Sequence, residues 1–334
     1  MTDTNCRWSK RSAAREPTDT IEKIYPKPEG AGSYEPFGEV DYKAVLRRLQ
    51  EDLRSCGGNA GAGVLFLLEE EPPRFSASQV LADLGLPNLK ELLMSPACRQ
   101  TSNLPEFLTS KLHLSWENIL SIVAGTDVQS SYSSWSLVRE WRLTASNFGE
   151  ILKFCNRSLQ RNCNPAPSLM RRFVCPTSLD GVHSVMWGRD NEPAAISFFE
   201  ESTGKKVVKS GIWLHESGVL GASPDGLVGS TETVEVKCPY RWRSSDNLST
   251  VITSETDYIV FYKDGEWHLR EDHVYYDQIQ GQLYFSRRQV CNLVIWAEKS
   301  AEIFEIPFNQ SWAVENVPKL LNFVPYVWST CVDV

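Results

Sequence analysis

The spacing of apolar and polar positions divides the chain into a helical first part and a mixed second part. In DYKAVLRRLQEDLRS, Val45, Leu46 and Leu49 fall on one face at helical spacing. SASQVLADLGLPNLKELLMS predicts two short helices broken at Leu86-Pro87. Residues 1–36 are polar and rich in Pro and Gly, as expected of a disordered tail. Residues 37–130 read as a helical N-terminal region without recognisable chemistry, and residues 131–334 as a separate domain.

In that domain, Thr144 or Ser146 is expected to cap a helix whose buried stripe is Phe148, Ile151, Leu152 and Phe154. WGRDNEPAAISFFEESTG predicts a helix capped by Asp190 or Asn191, with Pro193 in its first turn and Glu192 at its start. The period then changes to two. VVKSGIWLHES, VLGASPDGLVG and TVEVKCPY read as three consecutive strands. IVFYKDGEWHLR reads as a hairpin turning at Lys263-Asp264-Gly265. HVYYDQIQGQLYFSRR reads as a helix, CNLVIWAE and AEIFEIPF as strands, and WAVENVPKLLNFVPYVW as a closing helix. The predicted class is α/β (α+β), with a central mixed β-sheet flanked by helices and a helical N-terminal extension.

Composition narrows the function classes. The chain of 334 residues is 42% hydrophobic and 11% aromatic, enough for a sizeable core. The formal net charge of −8 excludes a uniformly basic nucleic-acid binder. Residues 139–174 nevertheless hold seven Arg or Lys and only two acids, a cluster that is either a binding patch or a solvated helix face. The nine cysteines include no C-x-x-C pair, and the opening MTDTNCRWSKRSAAREP lacks an apolar signal run. Reduced thiols in an intracellular protein are therefore expected, with no zinc knuckle at Cys155, Cys163 and Cys175. Lys10, Arg11 and Arg15 are a candidate nuclear address. No apolar run is long enough to span a membrane.

The candidate chemistry lies in LGASPDGLVGSTETVEVKCPY. Alternation in TVEVK puts Val234 and Val236 toward a core and sends Glu235 and Lys237 to the other face. Asp225, ten residues before Glu235, is brought alongside it by a hairpin. Two such carboxylates repel unless a cation lies between them, and Mg²⁺ or Mn²⁺ takes oxygen ligands of this kind. The Val236 carbonyl is a candidate further ligand. A lysine beside such a cation stabilises a phosphorane-like transition state. The alternative is an exposed hairpin carrying a Glu/Lys pair of little energetic worth. Cys238 is expected to point away from Lys237 as a small core residue, and no histidine has metal-ligand spacing.

Four motifs in order resemble the lambda-exonuclease-like (YqaJ viral recombinase) family of PD-(D/E)xK nucleases. They are WSLVREWRLTASNFGEIL, WGRDNEPAA, SPDGLVG…VEVKCPY and YYDQIQGQLYFS, spanning roughly residues 130–325. The resemblance implies a restriction-endonuclease-like core. It also implies that Asp225 and Glu235 bind metal, that Lys237 is the catalytic lysine, and that Glu192 bears on the metal through water. It sets Arg139 and Ser146 at a 5′-terminal phosphate, with Arg142 assisting. Gln278 and Gln282, four apart, share a helix face, and Gln278 is assigned to the catalytic site. The 40 residues between Lys237 and Gln278 exceed what a minimal phage enzyme carries, so residues 240–272 are an insertion of unassigned role.

The function so implied is a metal-dependent DNA exonuclease, acting 5′→3′ on linear duplex DNA in recombination or repair. A structure-specific endonuclease and a catalytically silent DNA-end-binding scaffold are the alternatives. Candidate partners are double-stranded DNA ends, further copies of the chain and a single-strand-annealing protein.

Overall fold

The computed structural model describes residues 77–101, 103–127, 134–161, 181–255 and 257–332. The expected tail 1–36, the helix carrying Val45, Leu46 and Leu49, and the basic residues Arg171 and Arg172 lie outside the described residues.

Among the described residues, five short helices come first: α1 (Ala77–Asp83), α2 (Leu89–Met94), α3 (Pro96–Gln100), α4 (Leu104–Leu112) and α5 (Trp116–Ala124). The break between α1 and α2 falls at Leu86-Pro87 as the pattern predicts, and Asn88 caps α2 by accepting from the Glu91 N–H. Ser115 and Asn118 form a reciprocal capping box on α5.

The chain continues through α6 (Ser134–Arg139), β1 (Leu143–Thr144), a 3₁₀ turn at Ala145–Asn147, α7 (Phe148–Arg161) and α8 (His183–Thr203). Strands β2 (Trp213–Leu214), β3 (Leu220–Ala222), β4 (Gly226–Val228) and β5 (Glu232–Lys237) follow. Then come a 3₁₀ turn at Tyr240–Trp242, α9 (Leu248–Ser254), the hairpin β6 (Val260–Lys263) and β7 (Glu266–Leu269), and α10 (Val274–Ser286). Strands β8 (Val290–Trp296) and β9 (Ala301–Pro307) and the long α11 (Gln310–Val332) close the chain. The hairpin turns at Asp264 and Gly265, both with positive φ, the geometry that suits a two-residue connection. Among the described residues, no helix is long and apolar enough to cross a membrane.

The central sheet has the order β4-β5-β8-β9. β5 pairs antiparallel with β4 and parallel with β8, so the sheet is mixed as expected. A parallel β5–β8 pair needs a long crossover, which α9, the β6–β7 hairpin and α10 supply. Helices cover both faces. On one, Val228, Val234, Val236 and Val294 pack with Ala195 and Phe199 of α8. Against the other lies α10, whose Ile279 and Leu283 join the larger core with Cys291, Leu293 and Ile295. Gly281 lets α10 sit close to α7, since a Cβ there would lie 2.7 Å from the Phe148 ring. That contact fixes the rotation of α10 about its axis.

Three expectations need correction. VLGASPDGLVG is two strands, not one. The Ser223-Pro224-Asp225 segment ends β3, which belongs to a separate β1-β3-β2 sheet, and β4 starts afresh in the central one. A proline has no N–H for a ladder, so a strand breaks there. The helix carrying Glu192 begins at His183 rather than at Asp190 or Asn191, which puts Pro193 and Glu192 in its interior. The Asn191 amide donates to the Trp187 carbonyl one turn back instead of capping a terminus. Thr144 precedes the 3₁₀ turn without a side-chain cap bond, and its hydroxyl lies 3.2 Å from that of Ser146.

Candidate active site

Antiparallel pairing sets Gly226 opposite Val234, so Asp225, one residue earlier, stands across from Glu235. The Asp225 Oδ2 accepts the Val236 N–H at 2.7 Å. Glu235 is 1% exposed, yet both its carboxylate oxygens are engaged. Oε1 accepts from Lys237 Nζ at 2.5 Å and from Gln278 Nε2 at 2.5 Å. Oε2 accepts from Gln282 Nε2 at 2.7 Å. The Lys237 ammonium also lies 4.6 Å from the centroid of the Tyr275 ring, a cation–π contact, and 3.4 Å from Gln278 Oε1.

Asp225, Glu235, Lys237, Tyr275 and Gln278 line one cleft of about 810 Å³ together with Glu192, Val236 and Cys238, and Gln282 stands behind Glu235. Glu192 reaches it from the interior of α8, so its place is not explained by a helix N-terminus. The 240–272 insertion supplies another wall through Tyr240, Arg241 and Tyr258. Four carboxylates, Glu192, Asp225, Glu235 and Asp257, therefore share a cleft with the Lys237 ammonium and the Arg241 guanidinium. Burial first, then the charges of Glu235 and Glu192, raise the Asp225 pKa well above the usual carboxylate range, against the opposing pull of Lys237 and the Val236 N–H. Burial and the Glu235 charge raise Glu192 as well. Burial alone lowers the Lys237 pKa. The charges of Glu235, Asp225 and Tyr275 and the hydrogen bond to Glu235 outweigh it and leave the ammonium more tightly protonated than in water.

An excess of negative charge held this way is the setting for a hard divalent cation. Among the described residues, no three acids, histidines or cysteines converge as a ready cage. The donor set nonetheless fits Mg²⁺, which takes one or two carboxylates and keeps several waters. Asp225, just before β4, and Glu235 on β5 could supply those carboxylates, with Glu192 lining the same cleft.

His273 also lines the cleft, but burial pushes its pKa down to about 4 and its ring caps α10 by accepting the Tyr275 N–H at 3.1 Å. It is a neutral capping residue. Cys238 packs against the apolar cluster under α8 and also borders the cleft, which corrects the expectation that it faces the core alone. Burial, with Glu192 and Asp225 nearby, pushes its thiol up to about 12, so it is no nucleophile.

The expected phosphate residues lie apart from this cleft's lining. The Arg139 guanidinium lies 4.2 Å from the centroid of the Trp135 ring, and burial lowers its pKa to about 10, which leaves it cationic. Trp135 Nε1 donates to Ser223 Oγ at 2.8 Å, two residues from Asp225, so Arg139 is tied indirectly to the turn that carries Asp225. Ser146 is exposed on the 3₁₀ turn after β1. Arg142 is a correction. It is 1% exposed and donates to the Gly218 carbonyl at 2.8 Å and the Val138 carbonyl at 2.7 Å. This guanidinium ties α6 to the turn between β2 and β3, and its Nη2 is buried without a hydrogen-bond partner. Sequence reasoning passed over Gln282 in favour of Gln278, although their four-residue spacing was the signal that both reach one target. It also passed over Tyr275, for which no spacing pointed to Lys237.

Residues 134–289 match the model of the YqaJ-like viral recombinase domain, which bears out the family resemblance read from the motifs. No curated protein matches the chain. Similar solved structures include an alkaline exonuclease from Laribacter hongkongensis, 22% identical over 58% of this chain and 92% of that one, with a TM-score of 0.44. A phage-related exonuclease from Haemophilus somnus is 11% identical over 57% and 94%, with a TM-score of 0.38. The shutoff and exonuclease protein of Kaposi's sarcoma-associated herpesvirus is 10% identical over 90% and 100%, with a TM-score of 0.45.

Proposed function

We propose that this chain, whose residues 134–289 carry a YqaJ-like viral recombinase domain, is a Mg²⁺- or Mn²⁺-dependent deoxyribonuclease. It degrades one strand of linear duplex DNA from a 5′ end, in recombination or repair. The observation that carries the reading is Glu235, buried between Lys237, Gln278 and Gln282 in a cleft it shares with Asp225 and Glu192. A binding module has no use for a buried carboxylate held by an ammonium beside two further acids. The β4–β5 hairpin that carries the acids is also what a restriction-endonuclease-like core calls for.

A bound divalent cation supplies the activated water and the charge neutralisation that phosphodiester hydrolysis needs. Asp225 and Glu235 would hold it, with the Val236 carbonyl as a further ligand and Glu192 acting through water. Lys237 carries the fixed positive charge. Held by Glu235 and the Tyr275 ring, its ammonium stabilises the charge that grows on the phosphate oxygens. Gln278 fixes both Glu235 and Lys237. Arg139 and Ser146 take the 5′-terminal phosphate, which gives the reaction its direction. The family match supports the role in recombination, with duplex DNA ends as the substrate.

The test is digestion of 5′-phosphorylated linear duplex DNA with Mg²⁺, using covalently closed circles as the control. Wild type should consume the linear DNA and leave the circles intact, and Lys237→Ala should leave both intact. Cleavage of the circles would replace this reading with an endonuclease. Inertness of wild type on every substrate would leave a DNA-end-binding scaffold.

A further inference from the structure

We infer that Gln282 is a positioning residue for the divalent cation, acting through Glu235 and the turn that carries Asp225. The inference rests on reading the cleft as a metal site. Helix α10 carries three glutamines, and they divide by face. Gln278 and Gln282, one turn apart, turn toward β5. Gln280 turns away, donating to the Pro307 carbonyl at 3.0 Å and accepting the Asn309 N–H at 2.8 Å. The Gln280 amide is thus satisfied at both ends, as a buried amide should be.

Gln282 is not. It is 1% exposed, and its Oε1 is buried without a hydrogen-bond partner. Its Nε2 donates to Glu235 Oε2 at 2.7 Å and to the Ser223 carbonyl at 3.2 Å. A buried amide oxygen without a donor costs stability. What the arrangement achieves is a tie from β5 to the segment two residues before Asp225. One side chain therefore fixes the carriers of both metal carboxylates. Gln278 does something different, since its other end meets Lys237. Without Gln282, Lys237 and Gln278 hold only Oε1 of Glu235, and the carboxylate is free to turn. Cation affinity should fall while DNA affinity stays.

The test is Mn²⁺ binding to the full chain without DNA, by paramagnetic resonance, for wild type, Gln282→Met, Gln282→Asn and Gln280→Met. Gln282→Met should bind Mn²⁺ about tenfold or more weakly, the usual loss when a group holding a metal ligand is removed. Gln280→Met should melt earlier and bind Mn²⁺ like wild type. On 5′-phosphorylated duplex DNA, Gln282→Met should need more Mg²⁺ for half-maximal rate at an unchanged KM for DNA. Gln282→Asn keeps the amide but shortens its reach, and it carries the test if the Met variant fails to fold. Mn²⁺ affinity of both Gln282 variants equal to wild type would reduce Gln282 to a structural role and overturn the inference, even with DNA cleavage intact. Gln282-dependent Mn²⁺ binding by a chain that leaves DNA whole would uphold it and overturn the nuclease reading. Absence of Mn²⁺ binding by wild type would overturn both.

Discussion

The two faces of β5 are built on opposite terms. On one, Val234 and Val236 join Val228, Val294, Ala195 and Phe199 in a cluster of interchangeable apolar contacts. On the other, Glu235 and Lys237 meet Gln278 and Gln282 in single hydrogen bonds. Loss on the apolar face is graded and falls on stability. Loss on the polar face removes a specific partner of a buried atom and falls on chemistry. Alternation along five residues is enough to keep the two apart.

Breaking the polar face has the largest expected effect. Lys237→Ala should slow hydrolysis on the order of 10³-fold, as removal of a charge-stabilising donor does, while DNA-end affinity is retained. Single-turnover cleavage beside equilibrium binding checks it. Breaking the apolar face comes next. Phe199→Ala should cost about 3 kcal/mol of stability in urea denaturation, with the cleavage rate per folded molecule unchanged. A loss of rate at full folding would mean that the faces are not separable.

Arg139 and Arg142 sharpen the comparison away from the strand. Arg139→Ala should lower the preference for 5′-phosphorylated over 5′-hydroxyl ends about tenfold, the worth of a charge-assisted hydrogen bond. Arg142→Met should leave that preference alone and lower the melting temperature. The smallest effect is a gain. Asp225 has a raised pKa in the folded chain, so the folded state resists releasing its proton. The metal-free protein then loses stability as pH rises from the ordinary carboxylate pKa through the raised one. Asp225→Asn should abolish cleavage and stabilise the metal-free chain by about 1 kcal/mol at pH 8, with no gain at pH 3. Thermal melts at the two pH values measure it.

Much of this was legible in the sequence because period two is a strong signal in a short strand. TVEVK alone separates Glu235 and Lys237 from Val234 and Val236, and the Asp264-Gly265 turn fixes its hairpin. The start of α8 was not legible. A proline usually marks a first turn, but Pro193 lies inside the helix, which begins at His183 without a side-chain cap. The inward turn of Arg142 was not legible either. It follows Trp141, which has a φ of 62°, a conformation that a bulky side chain rarely adopts. The Trp141 carbonyl accepts from Trp328 Nε1 at 3.0 Å, a contact 187 residues away that no local pattern announces. The pairing of Gln282 with Glu235 is hidden for the same reason, since it depends on how α10 rotates against α7.

The parallel pairing of β5 with β8 bears on how the protein is made. Glu232 pairs with Val290, and every group that restrains Glu235 from α10 lies more than forty residues downstream of it. A nascent chain that has emerged only through Lys237 already carries Glu192, Asp225, Glu235 and the lysine. It lacks the strand that completes the sheet and the helix that orients the carboxylate. Its acids are loose in water, where they hold a cation poorly. The polar setting of Glu235 is thus complete only once α10 and β8 are in place, and on the nuclease reading proposed above a copy truncated before them should leave DNA uncut.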